Sequence, residues 1–159
     1  MTDPETRYKE LVDILQKKGT RLTSHRVALA RLLSVSEGHP NASTLYLKLQ
    51  AQFPTISLAT VYKTLALLKE NGEVLEIVLQ GDSHFDGNKP YSHPHLVCSV
   101  CHQIYDADEP LITGLLEKEI EGKYSFKIQR HQIVYYGICQ DCQNKTSSDG
   151  SDRKGIDSE

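Results

Sequence analysis

The sequence contains no tryptophan, a single methionine and no long run of apolar residues. A transmembrane helix needs about 18 consecutive apolar residues, so we expect neither a membrane span nor a membrane partner. The polar, acidic first residues lack the apolar stretch of a secretory signal peptide, which predicts a cytoplasmic protein whose thiols stay reduced. With 38% hydrophobic and 25% charged residues, the composition is typical of a globular protein rather than a disordered one.

Acidic residues are scarce between residues 17 and 69, although the whole chain has a net charge of −3. This window holds eight Lys and Arg residues and one acid, Glu37, so its local charge is +7 and the remainder of the chain carries −10. A basic block joined to an acidic block indicates that one half meets a polyanion, of which nucleic acid is the common example. The alternative is an ordinary solvated helical surface, which usually mixes charges of both signs.

The basic half has the pattern of a winged helix-turn-helix. Thr23 or Ser24, then Asn41 and Ser57, can each cap a helix N-terminus, and Asn71-Gly72 is a C-terminal stop. Alternating apolar residues over 73–79, followed by a turn at 81–82, predict a β-hairpin. A short helix, a tight turn, a second helix and a hairpin are typical of this DNA-binding domain.

The helix that begins after Ser57 has two distinct faces. Its predicted buried face consists of the apolar residues at helical spacing, namely Leu58, Val61, Leu65 and Leu68. The opposite face carries Ala59, Thr60 and Lys63. Small, hydroxylic and basic side chains suit the major groove of DNA, so we predict that this is the recognition helix.

The composition changes near residue 87, where residues 86–90 (Asp-Gly-Asn-Lys-Pro) have the character of a linker. We predict an α+β protein with a DNA-binding domain over 1–86, a linker over 87–90, a small α/β domain over 91–144 and a disordered tail over 145–159. Strands are predicted at 95–97, 103–105 and 126–136, and a helix at 111–120. A domain of about 55 residues is near the lower limit for an independent core, so it needs a staple or a partner.

All four cysteines occur in two Cys-x-x-Cys pairs, Cys98/Cys101 and Cys139/Cys142. Four thiolates suit a closed tetrahedral zinc site, which has no open position for catalysis and would staple the small domain. Two disulfides or a thioredoxin-like redox pair are the alternatives. The reduced compartment argues against the first, and the absence of a nearby βαβ pattern argues against the second.

The segment His93-Pro94-His95 directly precedes the first cysteine pair. In an extended segment residues i and i+2 point to one side, so both imidazoles can reach one ion. Together with Asp86 and Asp106 they would favour Fe(II), Mn(II), Co(II) or Zn(II) over Ca(II). Each residue has an ordinary alternative role as a cap or a hydrogen-bonding group, and sequence spacing alone does not connect His39 with this group.

Five segments of the chain resemble the ferric uptake regulator (Fur) family. In one-letter code they are RLTSHR (21–26), GHP (38–40), SLATVYKTL (57–65), HPHLVCSVC (93–101) and YGICQDC (136–142). The resemblance implies a homodimeric, metal-dependent repressor that binds a palindromic operator in double-stranded DNA. It also implies an N-terminal winged helix and a C-terminal α/β dimerisation domain.

The resemblance further implies roles for individual residues. Structural zinc would be held by Cys98, Cys101, Cys139 and Cys142. Regulatory Fe(II) or Mn(II) would be held by His39, Asp86, His93, His95 and Asp106. DNA would be contacted by Arg21, Arg26 and Tyr62, beside Ala59, Thr60 and Lys63.

Asp106 stands where iron and zinc sensors of the family typically have Glu, so the chain is most similar to the peroxide-responsive branch. In that branch Fe(II) and peroxide oxidise a ligand histidine, here His39 or His93. The sequence also departs from the family pattern, since His102 stands where glycine often follows the second cysteine. A further metal site of some relatives keeps only His131, so we do not expect it here.

Other classes of protein fit the sequence less well. An enzyme is not expected, because the deaminase, HExxH and GxSxG motifs are all absent. A zinc-stapled protein-interaction module would bind its partner with little salt dependence, whereas phosphate contacts give a steep one. Among repressors, the alternative signal is iron or another divalent metal.

Overall fold

The computed structural model describes residues 3–17, 21–36, 38–79, 81–89, 91–107 and 113–148. The chain forms two compact units, an N-terminal unit over residues 1–91 and a C-terminal unit over residues 92–159. Residues 87–89, predicted as linker, therefore belong to the N-terminal unit. Each helix within the described ranges is too short or too polar to cross a lipid bilayer.

The N-terminal unit is a helical domain that ends in a β-hairpin, as predicted. Its elements are α1 (Pro4–Lys17), α2 (Ser24–Ser34), α3 (Ala42–Gln50), α4 (Leu58–Glu70), β1 (Leu75–Leu79) and β2 (Asp82–Asp86). The two strands pair antiparallel from Leu75↔Asp86 to Leu79↔Asp82. Helices α3 and α4 followed by this hairpin make a winged helix-turn-helix.

The helix boundaries follow from local capping. The side chains of Thr23, Asn41 and Ser57 each accept a hydrogen bond from the backbone N–H three residues further along the chain. Asn71 and Gly72 follow the end of α4, where Gly72 has a φ of 73°, a left-handed conformation that glycine adopts without strain.

The core of the N-terminal unit is built from leucines of α1–α3 together with Val61, Leu65 and Leu68 of α4. Leu58 was expected on this buried face, but it is 36% exposed. It is the first residue of α4, and helical side chains lean toward the N-terminus, so it projects beyond the core. Thr64 is buried instead, and its hydroxyl donates to the Thr60 carbonyl (2.8 Å).

The C-terminal unit combines a small mixed sheet with two helices. Its elements are β3 (Pro94–Cys98), β4 (Ile104–Asp106), α5 (Thr113–Tyr124), β5 (Ile133–Gly137) and α6 (Gln140–Ser148). The strand order is β4-β3-β5, with β3 antiparallel to β4 and parallel to β5. A parallel pair needs a crossover connection, which here contains α5.

Three elements in this unit differ from the predictions by more than one residue. The strand expected over 126–136 covers only Ile133–Gly137, because β3 is five residues long and pairs from Pro94↔Ile133 to Cys98↔Gly137. The helix expected over 111–120 is Thr113–Tyr124, and residues 111 and 112 lie outside the described ranges. The expected tail begins inside α6, since that helix continues to Ser148; residues 149–159 lie outside the described ranges.

Candidate metal centres and DNA-recognition surface

The four cysteines converge in the C-terminal unit. Each offers a sulfur atom, and all four sulfurs lie within 4.8 Å of one another. The Cys101 and Cys139 sulfurs are 3.7 Å apart, much further than the roughly 2 Å of a disulfide bond. Zinc–sulfur bonds of about 2.3 Å in a tetrahedron place sulfurs about 3.8 Å apart. The cluster therefore fits a structural zinc ion, as the cysteine spacing predicted.

Backbone N–H groups favour the thiolate form of Cys98 in this cluster. The N–H of Cys101, and then that of Cys139, lower the pKa of the Cys98 thiol to about 6. The Cys139 N–H lies 3.4 Å from the Cys98 sulfur. Interaction with the Cys139 side chain raises the pKa of Cys142 to about 12, because a second thiolate beside the first is unfavourable. Four thiolates can share this space only when a cation offsets their repulsion.

The first cysteine pair lies on a tight turn between β3 and β4. The Cys98 N–H donates to Gln103 O (3.0 Å), and the His102 N–H donates to Cys98 O (2.9 Å). His102 closes this turn with a φ of 61°, a left-handed conformation that costs a non-glycine residue energy. Glycine would adopt the same backbone conformation at this position without that cost.

A second donor set in the C-terminal unit consists of His93, His95 and Asp106. His95 and Asp106 are direct partners across β3 and β4, and His93 lies two residues before His95. Both His93 and His95 are buried, and their ring centroids are 4.4 Å apart. The Asp106 Oδ1 atom lies 3.2 Å from His93 Nε2 and 3.8 Å from His95 Nε2.

A third donor set, in the N-terminal unit, is the pair His39 and Asp86. Both residues are buried, and His39 Nε2 lies 3.9 Å from Asp86 Oδ2. The segment around His39 reaches the end of β2 through backbone contacts, since the Phe85 N–H donates to Pro40 O (3.0 Å). His84 Nδ1 also lies 2.8 Å from His39 O, an interaction that no feature of the sequence indicated.

The donor chemistry and spacing of the two histidine–carboxylate sets suit a divalent transition metal. Two donors bonded to one ion at about 2.1 Å can lie about 3.0–4.2 Å apart, depending on the angle between the bonds. The three separations measured, 3.9, 3.2 and 3.8 Å, all fall in this range. Imidazole and carboxylate donors together favour Fe(II), Mn(II) or Zn(II) over Ca(II), which prefers sites made of oxygen ligands alone.

His131, the residue left from a further metal site of some relatives, has other partners here. Its Nδ1 atom forms an ion pair with Glu117 Oε1, and its Nε2 atom lies 2.8 Å from the Ser92 hydroxyl. The Ser92 hydroxyl also donates to the His131 carbonyl (3.1 Å). Both ring nitrogens of His131 thus have partners within the C-terminal unit.

The predicted DNA-contacting residues lie on the surface of the N-terminal unit. On α4, Ala59, Tyr62 and Lys63 are exposed, and Thr60 is half-buried. The Thr60 hydroxyl lies 2.9 Å from that of the capping residue Ser57. Arg21 is exposed, and Arg26 is half-buried with its guanidinium donating to Arg21 O (3.1 Å).

Comparisons with known proteins agree with this architecture. The sequence profile of the ferric uptake regulator family matches residues 17–136. The peroxide-responsive repressor PerR of Staphylococcus aureus is 34% identical over 142 residues, which cover 89% of this chain and 95% of that protein. The ferric uptake regulator of Vibrio cholerae is similar in structure, with a TM-score of 0.64 and 29% identity over 80% of this chain and 98% of that one.

A zinc uptake regulator whose structure was solved with zinc and DNA has the same fold. Its TM-score is 0.69 at 21% identity, and the match covers 92% of this chain and 99% of that one. The profile match extends over most of the chain, and the PerR relative exceeds 30% identity over nearly its whole length. The chain therefore belongs to the ferric uptake regulator family.

Proposed function

We propose that this chain is a homodimeric, metal-dependent repressor in which one regulatory ion is bound by both units. The observation that carries the proposal is the presence in each unit of a buried donor set with single-ion spacing. The N-terminal unit offers His39 and Asp86, and the C-terminal unit offers His93, His95 and Asp106. Neither set is large enough to satisfy a five- or six-coordinate cation, so each needs further ligands.

An ion shared in this way would fix the orientation of the DNA-binding unit. Without the ion the units sample several orientations, and the ion binds best to the one that completes its ligand set. The related Vibrio cholerae regulator is described as showing a structural rearrangement of its DNA-binding domains. Because two recognition helices must match one half-site spacing, metal and operator are expected to bind with reciprocal positive coupling.

The dimer contact is proposed to use an exposed apolar row on the sheet of the C-terminal unit. Leu96 of β3 is flanked by Tyr105 of β4 and Tyr135 of β5, which are its direct cross-strand partners. All three side chains are exposed. Contiguous exposed apolar surface of this kind marks a protein interface, and a second copy of the chain is the partner that a palindromic operator requires.

His39 provides the direct test of the shared ion. We expect the His39→Ala variant to keep its zinc and its dimeric state, but to lose most of the Mn(II)-stimulated increase in operator affinity. Removing one ligand of five weakens metal binding and the coupling that depends on it. A gel-shift titration with and without Mn(II) measures this effect, and His25→Ala is the control within the same unit. Equal stimulation of wild type and His39→Ala would exclude His39 from the site.

Lys63 tests the proposed recognition surface. We expect Lys63→Ala to weaken operator binding about 10-fold and, if Lys63 contacts a phosphate, to reduce the salt slope by about one. Lys69→Ala is a matched control on the same helix, because Lys69 forms an ion pair with Glu76. Fluorescence anisotropy at several salt concentrations gives both quantities. An affinity for DNA that does not vary with salt would instead favour a zinc-stapled protein-interaction module.

The signal we propose is peroxide. Two observations support it, namely Asp106 as the last carboxylate and 34% identity to a peroxide-responsive repressor. Bound Fe(II) would activate peroxide without being consumed, so that the two electrons peroxide accepts come from a ligand ring, whereas Mn(II) would support DNA binding without that chemistry. His39 and His93 are the proposed targets. An iron-uptake repressor, or one that responds to another divalent metal, is the alternative.

A further inference from the structure

Arg7 of α1 is a charged residue buried in the N-terminal unit. Its exposure is 0%, and it lies outside residues 17–136, which match the family profile. Burial of a guanidinium is costly unless its donors are all used. Here Nη1 donates to Glu10 Oε2 (2.8 Å) and Glu73 Oε2 (2.7 Å), and Nη2 donates to Glu73 O. These contacts offset the charge.

The Nε donor of Arg7 points to the segment that follows Asp86. Arg7 Nε donates to the Gly87 carbonyl at 2.7 Å. The same peptide unit carries the Asn88 N–H, which donates to Asp86 Oδ1 at 2.9 Å. Because a peptide unit is planar and rigid, its carbonyl and its N–H cannot turn independently. One peptide therefore connects the Arg7 guanidinium to the Asp86 carboxylate.

The Asp86 carboxylate uses its two oxygens differently. Oδ1 accepts from the Asn88 N–H and from the Lys89 N–H (3.2 Å), whereas Oδ2 is the atom 3.9 Å from His39 Nε2. The segment is also packed tightly, since a Cβ on Gly87 would lie only 2.7 Å from Leu33 Cβ. Hydrogen bonds on one side and packing on the other thus fix the direction of Oδ2.

We propose that Arg7 is a positioning residue that orients the Asp86 carboxylate for the regulatory metal through the Gly87–Asn88 peptide. This inference rests on the proposed function, in which Asp86 is a ligand. Arg7 does not touch the ion. Its contribution is to hold the ligand in its binding orientation before the metal arrives, which reduces the ordering that metal binding requires.

Arg7→Lys is the principal test, because lysine keeps the charge but cannot place donors on Gly87 O and on both carboxylates at once. We expect Mn(II) affinity of the zinc-loaded protein, measured from the EPR signal of free Mn(II), to fall about 10-fold, as is typical when a partner of a metal ligand is lost. Arg31→Lys is the matched control. Arg31 forms an exposed ion pair with Glu5 (2.6 Å), so its replacement should change the affinity by less than about twofold.

Asp86→Asn separates this inference from the proposed function. If Arg7 acts through Asp86, adding Arg7→Lys to Asp86→Asn causes no further loss of Mn(II) affinity. Wild-type affinity in Asp86→Asn would overturn the proposed ligand set and this inference with it. A weakened Asp86→Asn beside an unchanged Arg7→Lys, or fully additive losses in the double variant, would overturn this inference alone.

Gly87→Ala perturbs the same peptide without altering Arg7. The added methyl group must displace the segment away from Leu33, so we expect Mn(II) affinity to fall about 10-fold here as well. If Arg7→Lys does not fold, Gly87→Ala becomes the test of whether the Gly87–Asn88 peptide orients Asp86. A Gly87→Ala protein with wild-type Mn(II) affinity would then overturn the inference.

Discussion

Replacing Cys142 with Ser is expected to abolish zinc binding and to unfold the C-terminal unit while the N-terminal unit stays folded. The reason is that most of the buried hydrophobic side chains lie in the N-terminal unit. Among the described residues, the buried apolar side chains of the C-terminal unit are Pro94, Val97, Cys98 and Cys142, and two of these four are cysteines of the cluster. Structural zinc sites contribute about 10–16 kcal/mol of apparent binding free energy, comparable to the whole stability of a small domain.

Calorimetry and limited proteolysis measure this outcome. The wild-type protein should contain zinc and resist trypsin in both units, whereas Cys142→Ser should lose zinc and be cleaved selectively beyond residue 91. The N-terminal unit should keep its thermal transition, because its cluster of buried residues lies wholly within that unit. Ser99→Ala is the matched control on the first cysteine turn, since Ser99 uses its backbone N–H to bind Gly137 O (2.8 Å). A zinc-free Cys142→Ser protein with an intact C-terminal unit would show that the metal does not hold the unit together.

Local signals allowed much of the fold to be predicted. Capping acts within three residues, so Thr23, Asn41 and Ser57 could be recognised as helix starts from the sequence alone. The cysteine cluster was predictable for a related reason, because each Cys-x-x-Cys pair chelates from one turn and the residue type restricts the chemistry. These features depend little on the rest of the chain.

Features that depend on distant partners could not be predicted in this way. The strand expected over 126–136 is rich in β-forming residues, but a strand persists only where another strand pairs with it, and β3 ends its pairing at Ile133. His39 reaches β2 through a bond between Pro40 and Phe85, which no spacing rule indicates. Arg7 was missed because its partners Glu73 and Gly87 are 66 and 80 residues away.

Peroxide is expected to weaken operator binding by the Fe(II)-loaded protein at least about 10-fold and to leave the Mn(II)-loaded protein unaffected. In the proposed reaction a ring carbon of a ligand histidine loses its C–H bond and gains one oxygen atom from peroxide. The second peroxide oxygen leaves as water, so the ring loses two electrons and peroxide accepts them. The oxidised ring is a weaker donor, so the proposed site loses one of its five ligands. The ion then binds too weakly to fix the orientation of the two units.

The tryptic peptides of this sequence separate His39 from His93, so mass spectrometry can show which of the two is oxidised. Trypsin releases residues 32–48 as one peptide, in which His39 is the sole histidine and which contains neither methionine nor cysteine. One added oxygen on this peptide, located by fragmentation, would identify His39. His93 shares its tryptic peptide with His84, His95 and His102, so there the fragment ions must assign the oxygen to one ring.

Three samples carry the comparison: Fe(II) with peroxide, Fe(II) without peroxide and Mn(II) with peroxide. We expect a loss of operator affinity of at least about 10-fold, together with the added oxygen, in the first sample alone, since a lost ligand weakens the coupling between metal and DNA. Loss of DNA binding with oxygen on the cysteines rather than on His39 or His93 would place the sensing chemistry at the zinc cluster. Unmodified histidines and unchanged DNA binding in all three samples would instead make the chain a repressor that responds to iron or another divalent metal, since the same five donors would then report metal concentration without being consumed.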